Sequence, residues 1–210
     1  MENNYKKIEI STENYYSKKF NSYGQTPKGV DWNSLESQKI RFLKLLDIVS
    51  DKNKPYSILD YGCGYGALLD YLDINKLQTY YGYDLSLPMI ESSNKKFSKN
   101  KNIFFTDNKK HLKPVDYVVA SGLLNVKQLE NDRIWKEYIT HLLNEFNKLS
   151  TKGFSFNCLS AYADKHLMKD YLFYGEPEYF FKFCKLNFSK NISLMHNYNL
   201  YEFTIHVHKK

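Results

Sequence analysis

The sequence predicts an α/β protein: a three-layer, doubly wound, mostly parallel sheet of about seven strands, closed by an antiparallel C-terminal hairpin strand. Three observations carry that expectation. From about residue 34 onward, short apolar runs of strand character alternate with segments of helical period. The first strand, SILD, runs straight into a glycine-rich turn, YGCGYG. The chain closes on ISLMHNYNLYEFTIHVHKK, which divides into two strands around Asn197 to Asn199. A length of 210 residues suits one core, so the chain reads as an N-terminal lead-in and lid segment over 1–33 and a single domain over 34–210.

The elements follow in order. Residues 1–32 are polar and aromatic, with turn signals at Gly24, Pro27 and Gly29, and read as a mobile lead-in followed by a loop. Asn33 with Glu36 forms a capping-box-like start, and Leu35, Phe42, Leu46 and Val49 fall on one helical stripe, so a helix is expected over about 34–50. A strand at 57–60 leads through the glycine turn to ALLDYL, which has helical composition. TYYGYD (79–84) is a second strand, and Pro88 suits the first residue of a helix over 88–99. NIFFT (102–106) and VDYVVAS (115–121) are strands joined by too few residues for a crossover helix. A helix over about 129–149 carries Ile134, Tyr138, Leu142 and Phe146 near helical spacing, and GFSFNCL (153–159) is a fifth strand. Pro177 opens a last helix with Phe180, Phe181 and Cys184 turned inward.

Composition narrows the function classes. No run approaches the roughly 18 apolar residues of a membrane span, and the first residues lack the apolar stretch of a secretory signal, so a soluble, cytoplasmic protein with no membrane partner is expected. Cys63, Cys158 and Cys184 are too few and too scattered for a disulfide framework or a CxxC metal knuckle. The 30 basic and 23 acidic residues leave a net charge of +7, which alone would suggest a nucleic-acid partner. Only Arg41 and Arg133 are arginines, however, and phosphate or base recognition favours the guanidinium fork. The lysines, asparagines and tyrosines are read as compositional bias, and nucleic acid is not the expected partner.

The chemistry concentrates at the end of the first strand, where Asp60, Gly62, Gly64 and Gly66 form D-x-G-x-G-x-G. Glycines let backbone turn sharply and approach a ligand that a Cβ would block. Asp84 ends the second strand, where a carboxylate suits the two ribose hydroxyls of an adenosine cofactor. The same glycines satisfy the looser dinucleotide pattern G-x-G-x-x-A. A carboxylate at position 60 would repel a pyrophosphate and instead suits a cationic amino group, as on the methionine moiety of S-adenosylmethionine.

Taken together, SILDYGCGYG, YGYDLS, FFTD and DYVVASGLLNV resemble the class I S-adenosylmethionine-dependent methyltransferases, over about residues 34–208. The resemblance implies a Rossmann-like methyltransferase fold with S-adenosyl-L-methionine as cofactor; that no metal is expected follows instead from His111, His141 and His166, which lack a carboxylate or cysteine partner at metal spacing. By position it implies that Gly62, Gly64 and Gly66 pass the cofactor's amino acid and ribose while Asp60 holds its ammonium through the loop. Asp84 would take the ribose hydroxyls, Leu85 would flank adenine, and Asp107, with Asn108 beside it, would accept the adenine amino proton. Ser121 and Gly122 would form the methyl donor's floor and the acceptor's entry. The segment 108–114 is shorter than the family's usual helix, which would leave adenine more exposed. At the chain ends, TPKGVDWNSLESQKIRF and HNYNLYEFTIHV resemble a narrower group, small bacterial methyltransferases of surface-polysaccharide and metabolite gene clusters.

The remaining candidates each carry two readings. Gln38 and Arg41 share one helix face and either point at the cofactor's carboxylate or lie on a solvated face. Trp32 is a lid or a core anchor. His196, near the hairpin tip with Tyr198 and Tyr201 as neighbours, is the best candidate base, with Tyr198 its companion, against a turn histidine of no chemical role. His206 and His208 alternate with apolar residues and read as solvated. His111, His141 and His166 lack partners at metal spacing. Phe173, Tyr174, Tyr179 and Phe180 suggest a stacking wall or core. The leading expectation is methyl transfer to a small-molecule hydroxyl or amine, sugar-like or another metabolite. An RNA methyltransferase is the alternative in the same chemistry, disfavoured because no Asn-Pro-Pro-aromatic motif exists and Cys158 follows Asn. A non-catalytic protein that binds a nucleoside cofactor is the alternative outside it, and an NAD-dependent reductase comes last.

Overall fold

The computed structural model describes residues 2–32 and 34–209. Among them, seven strands form one sheet: β1 (Tyr56–Tyr61), β2 (Leu77–Tyr83), β3 (Ile103–Thr106), β4 (Val115–Ala120), β5 (Ser150–Leu159), β6 (Asn191–Met195) and β7 (Glu202–His208). Their order is β3-β2-β1-β4-β5-β7-β6. β1 to β5 are parallel, and β7 lies antiparallel between β5 and β6. The order reverses between β1 and β4, and at that switch point the connections leave toward opposite faces, opening a crevice at the carboxyl ends.

Five α-helices among the described residues accompany the sheet: α1 (Glu2–Tyr23), α2 (Leu35–Leu46), α3 (Leu87–Lys96), α4 (Asp132–Leu149) and α5 (Pro177–Asn187). The central strands are apolar throughout because both their faces are covered. Leu59, Tyr61, Val118 and Ala120 point to one side, into a core with α4 and α5. Ile58, Tyr117 and Val119 point to the other, into a core with α2, Ile90 of α3 and the short 3-10 turn Ala67–Tyr71. α4 buries Trp135, Tyr138, Ile139, Leu142, Leu143 and Phe146 along one stripe. Each such side chain stabilises by about 1.5–3 kcal/mol relative to exposure. Asn131 caps this helix by accepting the Arg133 amide at 2.8 Å, so it begins at Asp132 rather than at 129.

The lead-in departs most from expectation. Residues 2–23 form α1, a long helix of which only Ile8, among the described side chains, is buried. Its apolar content sets no helical stripe, so the pattern that marks the other helices is missing. Tertiary contacts hold it: Tyr5 packs on Tyr138, Ser17 hydrogen-bonds Ser86 at 2.8 Å, and Tyr15 and Lys19 both donate to Asp31. α2 is capped by Ser34, whose hydroxyl accepts the Ser37 amide at 3.1 Å, and ends at Leu46 rather than 50. The expected cap at Asn33 lies outside the described residues.

After the glycine turn the chain makes two 3-10 turns, Ala67–Tyr71 and Ile74–Lys76, in place of a helix, since little length is left before β2 begins at Leu77. The connection from β3 to β4 carries a single 3-10 turn, Lys109–His111, so the shortness read from the sequence is real. His206 is not solvated: α2 covers it, it is buried, and its Nε2 donates to the Lys44 carbonyl at 2.8 Å. His208 is half-buried. Phe173 and Phe180 belong to the core, whereas Tyr174 is half-buried and Tyr179 is exposed. All three cysteines are free and buried. Among the described residues no helix is long and apolar enough to cross a membrane.

Candidate active site

The turn after β1 is held in a shape that side chains resist. Gly62, Gly64 and Gly66 have φ of 84°, 54° and 78°, the left-handed region that a Cβ penalises by about 1–2 kcal/mol per residue. A Cβ on Gly66 would also come 3.0 Å from the Phe105 ring. The turn is laced to the end of β2: the amides of Gly62 and Cys63 donate to the Tyr83 carbonyl at 2.7 and 3.0 Å. The Gly64 amide donates to Oδ2 of Asp84 at 2.8 Å, and the Ser86 amide donates to Oδ1 at 2.9 Å.

Two carboxylates therefore bracket the turn in different environments. Asp60 is 2% exposed and accepts the Tyr80 hydroxyl at 2.9 Å. Burial pushes its carboxyl up to about 7, the Tyr80 hydrogen bond pulls the other way, and the neighbouring Asp84 adds to the rise. Burial also raises Asp84 above the usual carboxylate range, opposed by the amides of Ser86 and Gly64.

Above the turn lies a cavity of about 840 Å³, open solvent at its mouth included. The structure brings Gln38, Asp60, Gly62, Gly64, Asp84, Leu85, Ser121 and Gly122 together on its wall. The Ser121 hydroxyl is buried there without a hydrogen-bond partner among the described residues. Trp32 lines the same space.

Other expected residues lie elsewhere. Gly66 supports the turn from behind, against Phe105. Arg41 does not line the cavity, because its Nε pairs with Glu202 at 2.7 Å. Asp107 and Asn108 are exposed and off the wall, and Asn108 instead caps the following 3-10 turn. His196 is exposed in the β6–β7 loop, 6.1 Å between ring centroids from Tyr162. Tyr198 is buried with its hydroxyl on Thr204 at 2.9 Å. Neither faces the cavity.

Several wall residues escaped the sequence reading. Glu9, Thr12, Glu13 and Tyr16 come from α1, which no local signal announced. Lys109 stands on the wall near where Asp107 was expected, its ammonium bridging Glu9 at 2.7 Å and Glu145 at 3.3 Å. Leu123 lines the cavity beside the turn, 3.1 Å from where a Cβ on Gly62 would stand.

A doubly wound sheet with an antiparallel strand inserted before its last edge, cradling an acidic residue, a glycine turn and a second carboxylate at the switch point, defines the Rossmann-like methyltransferase class. The chain belongs to that family: residues 35–148 match the family described as a methyltransferase domain. It is 44% identical over 156 residues to Rv1506c of Mycobacterium tuberculosis (strain ATCC 25618 / H37Rv), a protein whose assigned name is that of a methyltransferase; the match covers 74% of this chain and 94% of that one. Among solved structures it resembles magnesium protoporphyrin IX methyltransferase from Synechocystis PCC 6803 with SAM bound, with a TM-score of 0.65, 17% identity, and 96% and 97% of the two chains covered. It also resembles the N-methyltransferase NodS from Bradyrhizobium japonicum WM9, with a TM-score of 0.60, 11% identity, and 84% and 98% covered.

Proposed function

We propose that this chain transfers a methyl group from S-adenosylmethionine to a hydroxyl or amine of a small acceptor, sugar-like or another metabolite. Family membership supports the reaction class, and neighbours solved with SAM support the cofactor. The residues present fit that group. When bound, it supplies an activated methyl group carried on a sulfonium. Asp60 would steer the ammonium of its amino acid tail through the glycine turn, and a buried carboxyl titrating near 7 gains its charge readily when a cation arrives. Asp84 would grip the ribose: each of its oxygens holds one backbone amide and keeps a lone pair for a hydroxyl. Leu85, with Leu123 opposite, would flank the adenine. Gln38 would reach the carboxylate, and the Ser121 hydroxyl would gain the partner it lacks.

Methyl transfer from a sulfonium needs alignment and dryness more than acid–base chemistry. Tyr16 and Trp32 supply cover over the cavity. His196 and Tyr198 stand off the wall, so in this reading catalysis rests on positioning rather than on a base from the closing hairpin.

The observation that carries the reading is Asp84 on the cavity wall, tied to the Gly64 amide. Calorimetry with S-adenosylhomocysteine tests it. The unsubstituted chain is expected to bind in the micromolar range, about −8 kcal/mol, and Asp84→Ala to lose binding. Equal affinity in the two would overturn the site.

A further inference from the structure

A buried run of polar contacts joins α2 to the closing strand and has no part in the cofactor reading above. Arg41 is 8% exposed, and its Nε donates to Oε2 of Glu202 at 2.7 Å. Glu202 is fully buried, and its Oε1 accepts Nδ2 of Asn157 at 3.1 Å. Asn157, equally buried on β5, accepts the Gly122 amide on its Oδ1 at 2.7 Å. The run thus ends on a glycine of the cavity wall with φ of 70°.

Its other end returns to the same place. The Arg41 guanidinium stands 4.3 Å from the Trp32 ring centroid, a cation–π contact. A Cβ on Gly122 would lie 2.4 Å from Cζ2 of Trp32, so the indole edge occupies the space beside that glycine. The contacts close a ring through Trp32, Arg41, Glu202, Asn157 and Gly122.

Stability alone does not explain this ring. Two charges are taken out of water where apolar side chains of similar volume would serve cohesion as well or better. Arg41 Nη1, moreover, is buried without a partner among the described residues. What apolar packing lacks is direction: hydrogen bonds fix which way the guanidinium face and the Gly122 amide point.

We propose that Arg41, Glu202 and Asn157 are positioning residues that lock the Trp32 indole to Gly122, so that the lead-in segment closes over this end of the cavity in register with β4. The proposal rests on the cofactor reading for its effect on ligand binding, and not for the locking itself.

The chain holds two tryptophans, so Trp135→Phe leaves Trp32 as the reporter. In that background, acrylamide quenching without ligand and S-adenosylhomocysteine calorimetry are compared for the parent, Glu202→Gln, Arg41→Lys and Asn157→Leu. Each substitution is expected to raise quenching severalfold and to weaken binding roughly ten- to hundredfold, since a displaced wall residue misaligns the site. Folded variants with parental quenching and parental affinity would overturn the proposal, even if their melting temperatures fell. Should the buried substitutions prevent folding, Trp32→Ala decides: a tenfold or greater loss of affinity supports the lock, and unchanged affinity overturns it. A parent that binds no S-adenosylhomocysteine overturns the cofactor reading instead, and the ligand-free quenching still decides the lock.

Discussion

The amide of Gly64 donates to the carboxylate of Asp84 at 2.8 Å, which joins the turn after β1 to the end of β2 through a side chain 20 residues away. With the Ser86 amide on its other oxygen, Asp84 satisfies two backbone donors beside a ligand cavity. One carboxylate shapes the turn and also lines the cavity.

Asp84 should therefore matter to the empty protein. Asp84→Ala leaves two amides without an acceptor and is expected to cost about 1–3 kcal/mol in urea unfolding. Asp84→Asn keeps one acceptor oxygen and should cost less. Equal stability of all three chains would deny the joint.

Gly66 and Gly24 separate backbone strain from crowding. Both have positive φ, 78° and 62°, but a Cβ on Gly66 meets Phe105 whereas nothing lies within 4 Å of one on Gly24. Gly24→Ala is expected to cost about 1–2 kcal/mol from conformation alone. Gly66→Ala should exceed it by the cost of moving an aromatic ring, and chemical denaturation of both measures the difference.

Asp60 sets a slope in acid. Its carboxyl titrates near 7 folded against an ordinary value of 3.8, so between those values the folded chain holds a proton that the unfolded chain has released. Stability should then fall as pH rises from about 4 to 7, by up to about 1.4 kcal/mol per unit, and Asp60→Asn should remove that slope. A cationic ligand reverses the preference, so binding at pH 6 should release a proton. Calorimetry in two buffers of different ionisation enthalpy detects it, and an identical heat in both would count against Asp60.

His206 imposes the opposite slope. Burial lowers its imidazole to about 4, against an ordinary 6.5. The folded chain binds fewer protons in that window, so this contribution to stability is lost as pH falls from about 6.5 toward 4. His206→Gln, which can still donate to the Lys44 carbonyl, should flatten that part of the profile. Each slope is read as the difference between parent and variant, since the two oppose each other in the parent.

Lys109 ties α1 to the sheet through Glu9 and to α4 through Glu145. The groups are partly exposed, so Lys109→Met is expected to change global stability by under about 1 kcal/mol. The effect should appear locally, as faster amide exchange across residues 2–23 and unchanged exchange in β1 and β4. Uniform protection in α1 would show that the bridge does not hold it.

Where the sequence reading succeeded, the deciding physics is local. Strands buried on both faces must be apolar along their length, which makes ILDY and YVVA legible; a glycine turn between two acidic strand ends needs only short-range geometry. The lead-in failed for the converse reason: a helix with one buried apolar residue, Ile8, displays no stripe to read. Arg41 was misjudged because its partner, Glu202, lies 161 positions away, and helix-face spacing shows only what a side chain could reach, never what competes for it. Lys109 went unseen because both acids that hold it, Glu9 and Glu145, come from other elements. His206 looked solvated because alternation reports the polarity of a strand face and not what later covers it.

Chain order gives α1 one more property. It docks on groups that follow it by as many as 136 positions, as Tyr5 does on His141, and a polar helix of this kind has little tendency to persist alone in water. During synthesis it leaves the ribosome before any strand of the sheet, ahead of the groups that hold it. The segment that is made early thus finds its partners only in elements that are made later.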